Sequence, residues 1–110
     1  MANPINEILD EVSEELFRAT QKFPTWPTDP LHALAVVGEE FGELTKAMLQ
    51  LTYEPHKSTK ESVRKEAEQL AAMSLRFLMS LDRYEYTPRP QHSQNDEALR
   101  PADEGGSNGN

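Results

Sequence analysis

Cysteine is missing from this chain, so neither a disulfide nor a thiolate metal site is available to it. No apolar run approaches the roughly 18–20 residues of a membrane span, and the start, Met1-Ala2-Asn3-Pro4, lacks the basic and apolar blocks of a signal peptide. These two absences predict a cytoplasmic protein without a membrane partner. Positive charge is scarce: 11 basic residues stand against 19 acidic ones, a net charge of −8. That balance opposes binding to a nucleic-acid polymer, which needs a basic face. It leaves room for a small phosphate ligand, because a metal ion can supply the positive charge. Glycine-rich phosphate loops and internal repeats are absent. His32, His56 and His92 are scattered and offer no i, i+4 pair for zinc. No serine or threonine stands in a nucleophile context, so covalent catalysis finds no support.

What the chain does have is helical periodicity, with no strand-like alternation. A first helix starts at Pro4 with Asn3 as cap and carries an apolar line of Ile5, Ile8, Leu9, Val12, Leu16, Ala19 and Phe23, opposite Glu7, Asp10, Glu11, Glu14 and Arg18. Pro24 and Pro27 break the ladder on either side of Trp26. Asp29 then caps a second helix that opens on Pro30 and runs to about Tyr53. After a turn at Pro55 and His56, Ser58 and Glu61 have the spacing of a capping box for a third helix, which extends to about Asp82. Beyond Tyr86 the composition shifts to proline, polar residues, glycine and acids. Residues 1–86 are therefore expected to form one helical domain and residues 87–110 a flexible acidic and polar tail, with Tyr84 and Tyr86 packing back onto the helices.

The second helix carries an unusual acid pattern. Leu34, Val37, Phe41, Leu44 and Met48 form its main apolar stripe, and Val36, Glu40, Glu43 and Ala47 form a second line at helical spacing, extended by Ala33. Glu40 and Glu43 thus share a face with small apolar residues, and Glu39 adds a third carboxylate. This helix is apolar around much of its circumference and is expected to be the central element. Three ionised acids this close repel one another, and burying them unpaired costs several kcal/mol each by the usual desolvation estimate. Either they face solvent, as most acid runs do, or cations compensate them. Hard oxygen ligands of this kind suit Mg²⁺ or Mn²⁺. On the third helix the core stripe is Val63, Ala67, Leu70, Ser74, Phe77 and Leu81, with Glu66, Gln69, Met73 and Arg76 along its edge. An antiparallel hairpin turning near residue 56 brings Glu43 and Gln69 to similar height.

The run Gly38-Glu39-Glu40-Phe41-Gly42-Glu43-Leu44, followed on the third helix by Glu66-Ala67-Glu68-Gln69, resembles the MazG-like family of all-α nucleoside triphosphate pyrophosphohydrolases. The pattern there is Glu-Glu-x-x-Glu, a spacer, then Glu-x-x-Asp, and a proline- and tryptophan-containing segment before the second helix is also common. The resemblance covers about half the chain and suggests a short, phage-type member. It implies metal-dependent cleavage between the α- and β-phosphates of an NTP or dNTP, yielding a monophosphate and pyrophosphate. It places Glu40, Glu43 and Glu66 as metal ligands, with Glu39 as auxiliary ligand or water-orienting base. It also puts Glu39, Glu40 and Glu43 in the catalytic centre. The fourth acid of the pattern is replaced here by Gln69, whose amide oxygen can ligate a metal but brings no charge. Glu68 is adjacent but points about 100° away.

Three more residues are candidates for substrate contact. Lys46 sits one turn after Glu43; it and the cluster Lys57, Lys60, Arg64 and Lys65 could hold phosphates, although lysines near a loop are more often soluble surface. Arg76 follows Gln69 along the same edge and serves either a phosphate or a salt bridge to an acid of the first helix. Trp26 offers a stacking face for a base or a packing anchor. The expected architecture is all-α, an antiparallel four-helix bundle formed across a homodimer or homotetramer by the second and third helices of two copies, with the first helix outside. Two alternatives to the hydrolase remain: a catalytically weakened nucleotide-binding or regulatory protein, to which Gln69 points, and a helical interaction module whose acids are only a charged surface.

Overall fold

The computed structural model describes residues 4–86, and among them the fold is all-α: α1 Pro4–Lys22, α2 Pro30–Tyr53 and α3 Lys60–Met79, with single 3₁₀ turns at Pro55–Lys57 and Leu81–Arg83 and no strand. The cap Asn3 and the tail 87–110 lie outside the described residues.

Local chemistry sets the boundaries. The Asp29 carboxylate accepts a hydrogen bond from the Leu31 amide at 3.0 Å, and Pro30 occupies the first turn, where its missing N–H costs nothing. α3 begins one residue later than the Ser58 capping box predicts. Thr59 is the cap, with its hydroxyl accepting from the Ser62 amide at 3.0 Å, while Ser58 is buried and its hydroxyl has no hydrogen-bond partner. α3 also ends earlier than Asp82, closing at Met79 before a 3₁₀ turn.

Layering differs from the expectation in one respect. α3, not α2, is the central helix: it packs against both α1 and α2, which do not pack against each other. The line Glu66, Gln69, Met73 and Arg76 is accordingly not an edge. Met73 and Arg76 are buried, as is Ala72, whereas Ala67 and Leu81 of the expected core stripe are exposed. On α2 the second line packs inward, with Ala33 and Ala47 buried, and the predicted main stripe turns outward, with Leu34, Phe41 and Met48 at 53%, 59% and 50% exposure. Of the apolar line on α1 only Val12 is buried. The core is thin: among the described residues no large side chain is completely enclosed. No helix of the described residues is long and apolar enough to cross a membrane.

The segment after α3 returns to the loop before α2, as expected from Tyr84 and Tyr86. Tyr84 is buried, its ring 5.3 Å from that of Phe77, and its hydroxyl accepts from the Trp26 indole at 2.9 Å while donating to the Phe77 carbonyl at 3.1 Å. A backbone bond from the Glu85 amide to the Thr28 carbonyl at 2.8 Å adds a second tie. Tyr86 stays exposed but lies edge-on to Tyr84 and donates its hydroxyl to the Leu81 carbonyl.

Candidate functional site

A pocket of about 530 Å³ opens where the second half of α1, the loop carrying Trp26, the first half of α2 and the middle of α3 meet. α1 contributes Glu15, Arg18, Ala19 and Lys22, which recur at the three- and four-residue spacing that keeps them on one helix face. α2 contributes Val36 and Glu40. α3 contributes Lys65, Gln69, Met73 and Arg76, and the loop adds Phe23, Thr25, Trp26 and Pro27. Four cationic side chains and two carboxylates thus surround one concave space with an apolar wall.

Glu40 is the strained acid of this site. Its carboxyl is held above the usual carboxylate range, first because burial penalises the charged form, then because Glu66, Glu43, Glu39 and Glu15 add negative potential in that order. A proton or a cation bound at Glu40 relieves that potential. Glu15 reaches the same region from α1 and is ion-paired with Arg18.

Arg76 plays a part that neither sequence reading named. Its guanidinium lies 4.8 Å from the centre of the Trp26 ring and donates through Nη2 to the Phe23 carbonyl at 2.8 Å and the Thr25 carbonyl at 3.2 Å. Burial lowers its pKa, but a guanidinium remains charged at any working pH. Arg76 therefore fixes the proline-flanked loop and covers one face of Trp26. With the indole also bonded to Tyr84, Trp26 is anchored as a wall of the pocket.

The sequence-derived residues divide. Glu40, Gln69, Trp26 and Arg76 line one pocket, and Glu66, half-buried, is the strongest of the charges acting on Glu40. Glu39 and Glu43 are exposed and act on Glu40 through their field. Lys46 lies elsewhere, in a shallow groove with Gly42, Leu49 and Tyr53. Glu15, Arg18 and Lys22 were not singled out as site residues in the sequence, where Arg18 was assigned to the solvated face of α1.

Among the described residues no three acidic or histidine side chains come together in a group that could hold a metal ion. The donor set still suits Mg²⁺ in one mode, since this ion commonly takes one or two carboxylates and completes its shell with water and a substrate's phosphates. Glu40 with one neighbouring carboxylate, in a pocket that lysines and arginines also line, fits that shared arrangement and not an all-protein cage. Comparison with family models, curated proteins and solved structures finds no match to this chain.

Proposed function

We propose that this chain is a Mg²⁺- or Mn²⁺-dependent nucleoside triphosphate pyrophosphohydrolase of the MazG-like kind, converting an NTP or dNTP to its monophosphate and pyrophosphate. It works in the cytoplasm as a homodimer or homotetramer in which α2 and α3 of two copies make a four-helix bundle. The observation that carries the reading is the pocket itself: an acid whose charge is disfavoured faces several cations across a space bounded by an anchored tryptophan.

Each group has a task in this reading. Glu40 and one neighbouring carboxylate, Glu66 or Glu43, would hold the divalent ion, and Glu39 contributes to the negative potential there. When bound, the ion neutralises phosphate charge and makes a coordinated water more acidic for attack on the anhydride. Arg18 and Lys22 of α1 and Lys65 of α3 bind the phosphate oxygens. Val36, Met73 and Trp26 give the base an apolar surface, and Arg76 keeps that surface in place. Gln69 lines the same pocket as Glu40 and offers an amide oxygen without adding charge, which lowers affinity for the metal.

The test is pyrophosphate release from a panel of NTPs and dNTPs with Mg²⁺ or Mn²⁺. The wild type is expected to turn over at least one of them, and Glu40→Gln to lose at least about 100-fold of that rate, as expected for loss of a group that acts in the transition state. Equal rates for the two proteins refute the assignment. Gln69 in the pocket favours one second reading, a nucleotide-binding protein with weakened turnover. Gln69→Asp then raises the rate, while the wild type binds the metal–nucleotide complex with little hydrolysis.

A further inference from the structure

The outward face of α2 is free of charge along its whole length. At about 100° per residue, Leu31, Leu34, Gly38, Phe41, Gly42, Thr45, Met48, Leu49 and Thr52 fall on one sector, and all are exposed. Its two threonine hydroxyls are bonded back to their own helix, Thr45 to the Phe41 carbonyl at 2.9 Å and Thr52 to the Met48 carbonyl at 2.8 Å. These side chains can turn their methyl groups outward, and their hydroxyls need no water. Glycine inside a helix is unfavourable relative to alanine, yet a Cβ built on Gly38 or Gly42 meets no atom within 4 Å. Nothing in this chain's own packing calls for either glycine.

We infer that this face is the contact surface for α2 of a second copy, packed antiparallel about a two-fold axis close to Glu43. The central part of the face is complementary to itself in that arrangement, and the flanking charges match across the same axis. Gly38 stands across from the partner's Met48, Phe41 from the partner's Thr45, and Leu34 from the partner's Thr52, so a large side chain meets a small one in these three layers. On the flank, Lys46 comes alongside the partner's Glu39, and symmetry makes that ion pair twice. A shallow groove along Gly42, Thr45, Lys46, Leu49, Gln50, Tyr53 and Glu54 borders this face on the flank that carries Lys46. Glycines at these positions let two backbones approach closely, which accounts for their presence. The inference rests on the pairing of two copies proposed above and gives that pairing a specific seam. It reassigns Lys46 from phosphate binding to the interface.

The test uses the full chain and a mass measurement, by light scattering or sedimentation, over a range of protein concentrations. The wild type is expected at a mass at least twice the 12.5 kDa of one chain. Glu39→Lys and Lys46→Glu each place like charges across the seam and are expected to weaken self-association about tenfold, and the double swap to restore it to within about threefold. Gly38→Leu, which has open space in the single chain, is expected to weaken association at least about tenfold with an unchanged helical circular-dichroism spectrum. A wild-type mass of one chain at every concentration overturns both the pairing and the seam. A stable assembly that ignores the single charge changes, or that the double swap fails to restore, overturns the seam and leaves pairing through another face.

Discussion

The two ends of α3 are held by different physics. At its C-terminal end, Arg76, Trp26, Tyr84 and Phe77 form one connected set in which a guanidinium, an indole and a phenol each find a partner in a partly dehydrated setting. At its N-terminal end the ties are exposed ion pairs, Arg64 with Glu11 at 3.2 Å and with Glu68 at 3.7 Å, and Lys57 with Glu54 at 2.8 Å, beside a Ser58 hydroxyl left without a partner. Buried, satisfied polar groups fix geometry; solvated pairs contribute little because water competes for both charges. The pocket lies against the well-fixed end, so its tryptophan wall is already in place before a ligand arrives, which reduces the ordering cost of binding.

That contrast is open to direct challenge. The largest effect is expected at Arg76→Met, which leaves two carbonyls without their donor and removes the cation from Trp26: a loss of about 2–4 kcal/mol in unfolding free energy, or roughly 10 °C or more in melting temperature. Tyr84→Phe removes one hydroxyl that both accepts and donates, and is expected to cost about 1–2 kcal/mol by denaturant titration. Glu40→Gln is expected to act in the opposite direction and to be smaller. Glu40 has a raised pKa in the folded state, so the fold binds its proton more tightly than the unfolded chain does. Its contribution is favourable at low pH and is lost as pH climbs from the ordinary glutamate value through the raised one. The variant should therefore melt above the wild type at neutral pH, and the difference should shrink in acid. The smallest effect is expected at Arg64→Ala, whose melting temperature should fall within experimental scatter of the wild type in moderate salt. If Arg64→Ala proves as damaging as Arg76→Met, the distinction between the two ends fails.

Punctuation residues were the most legible part of the sequence. Asp29-Pro30 marked the start of α2 and the turn at Pro55 and His56 marked its end, because those signals act within one turn and need no tertiary context. The start of α3 was placed one residue early because Ser58, Thr59 and Ser62 all offer a hydroxyl, and burial of Ser58 decided between them. The middle helix was misassigned for a different reason. Apolar residues around the circumference of α2 read as burial on several sides, but hydropathy alone cannot distinguish a face covered by the same chain from one left for a partner. At the site, Glu40 and Gln69 line one pocket and Glu66 acts on Glu40, but Glu43, expected level with Gln69, is exposed outside it. The cations of α1 depended on how that helix crosses α3, which no local pattern encodes.

The measurement that bears most directly on the account is the melting temperature with and without Mg²⁺ and a triphosphate carrying a non-hydrolysable α–β bridge. The wild type is expected to rise by several degrees only when both are present, and Glu40→Gln, starting higher, to show no rise. Equal shifts in the two proteins, or no shift in the wild type with any nucleotide, would contradict the assignment of this pocket to a metal–nucleotide complex.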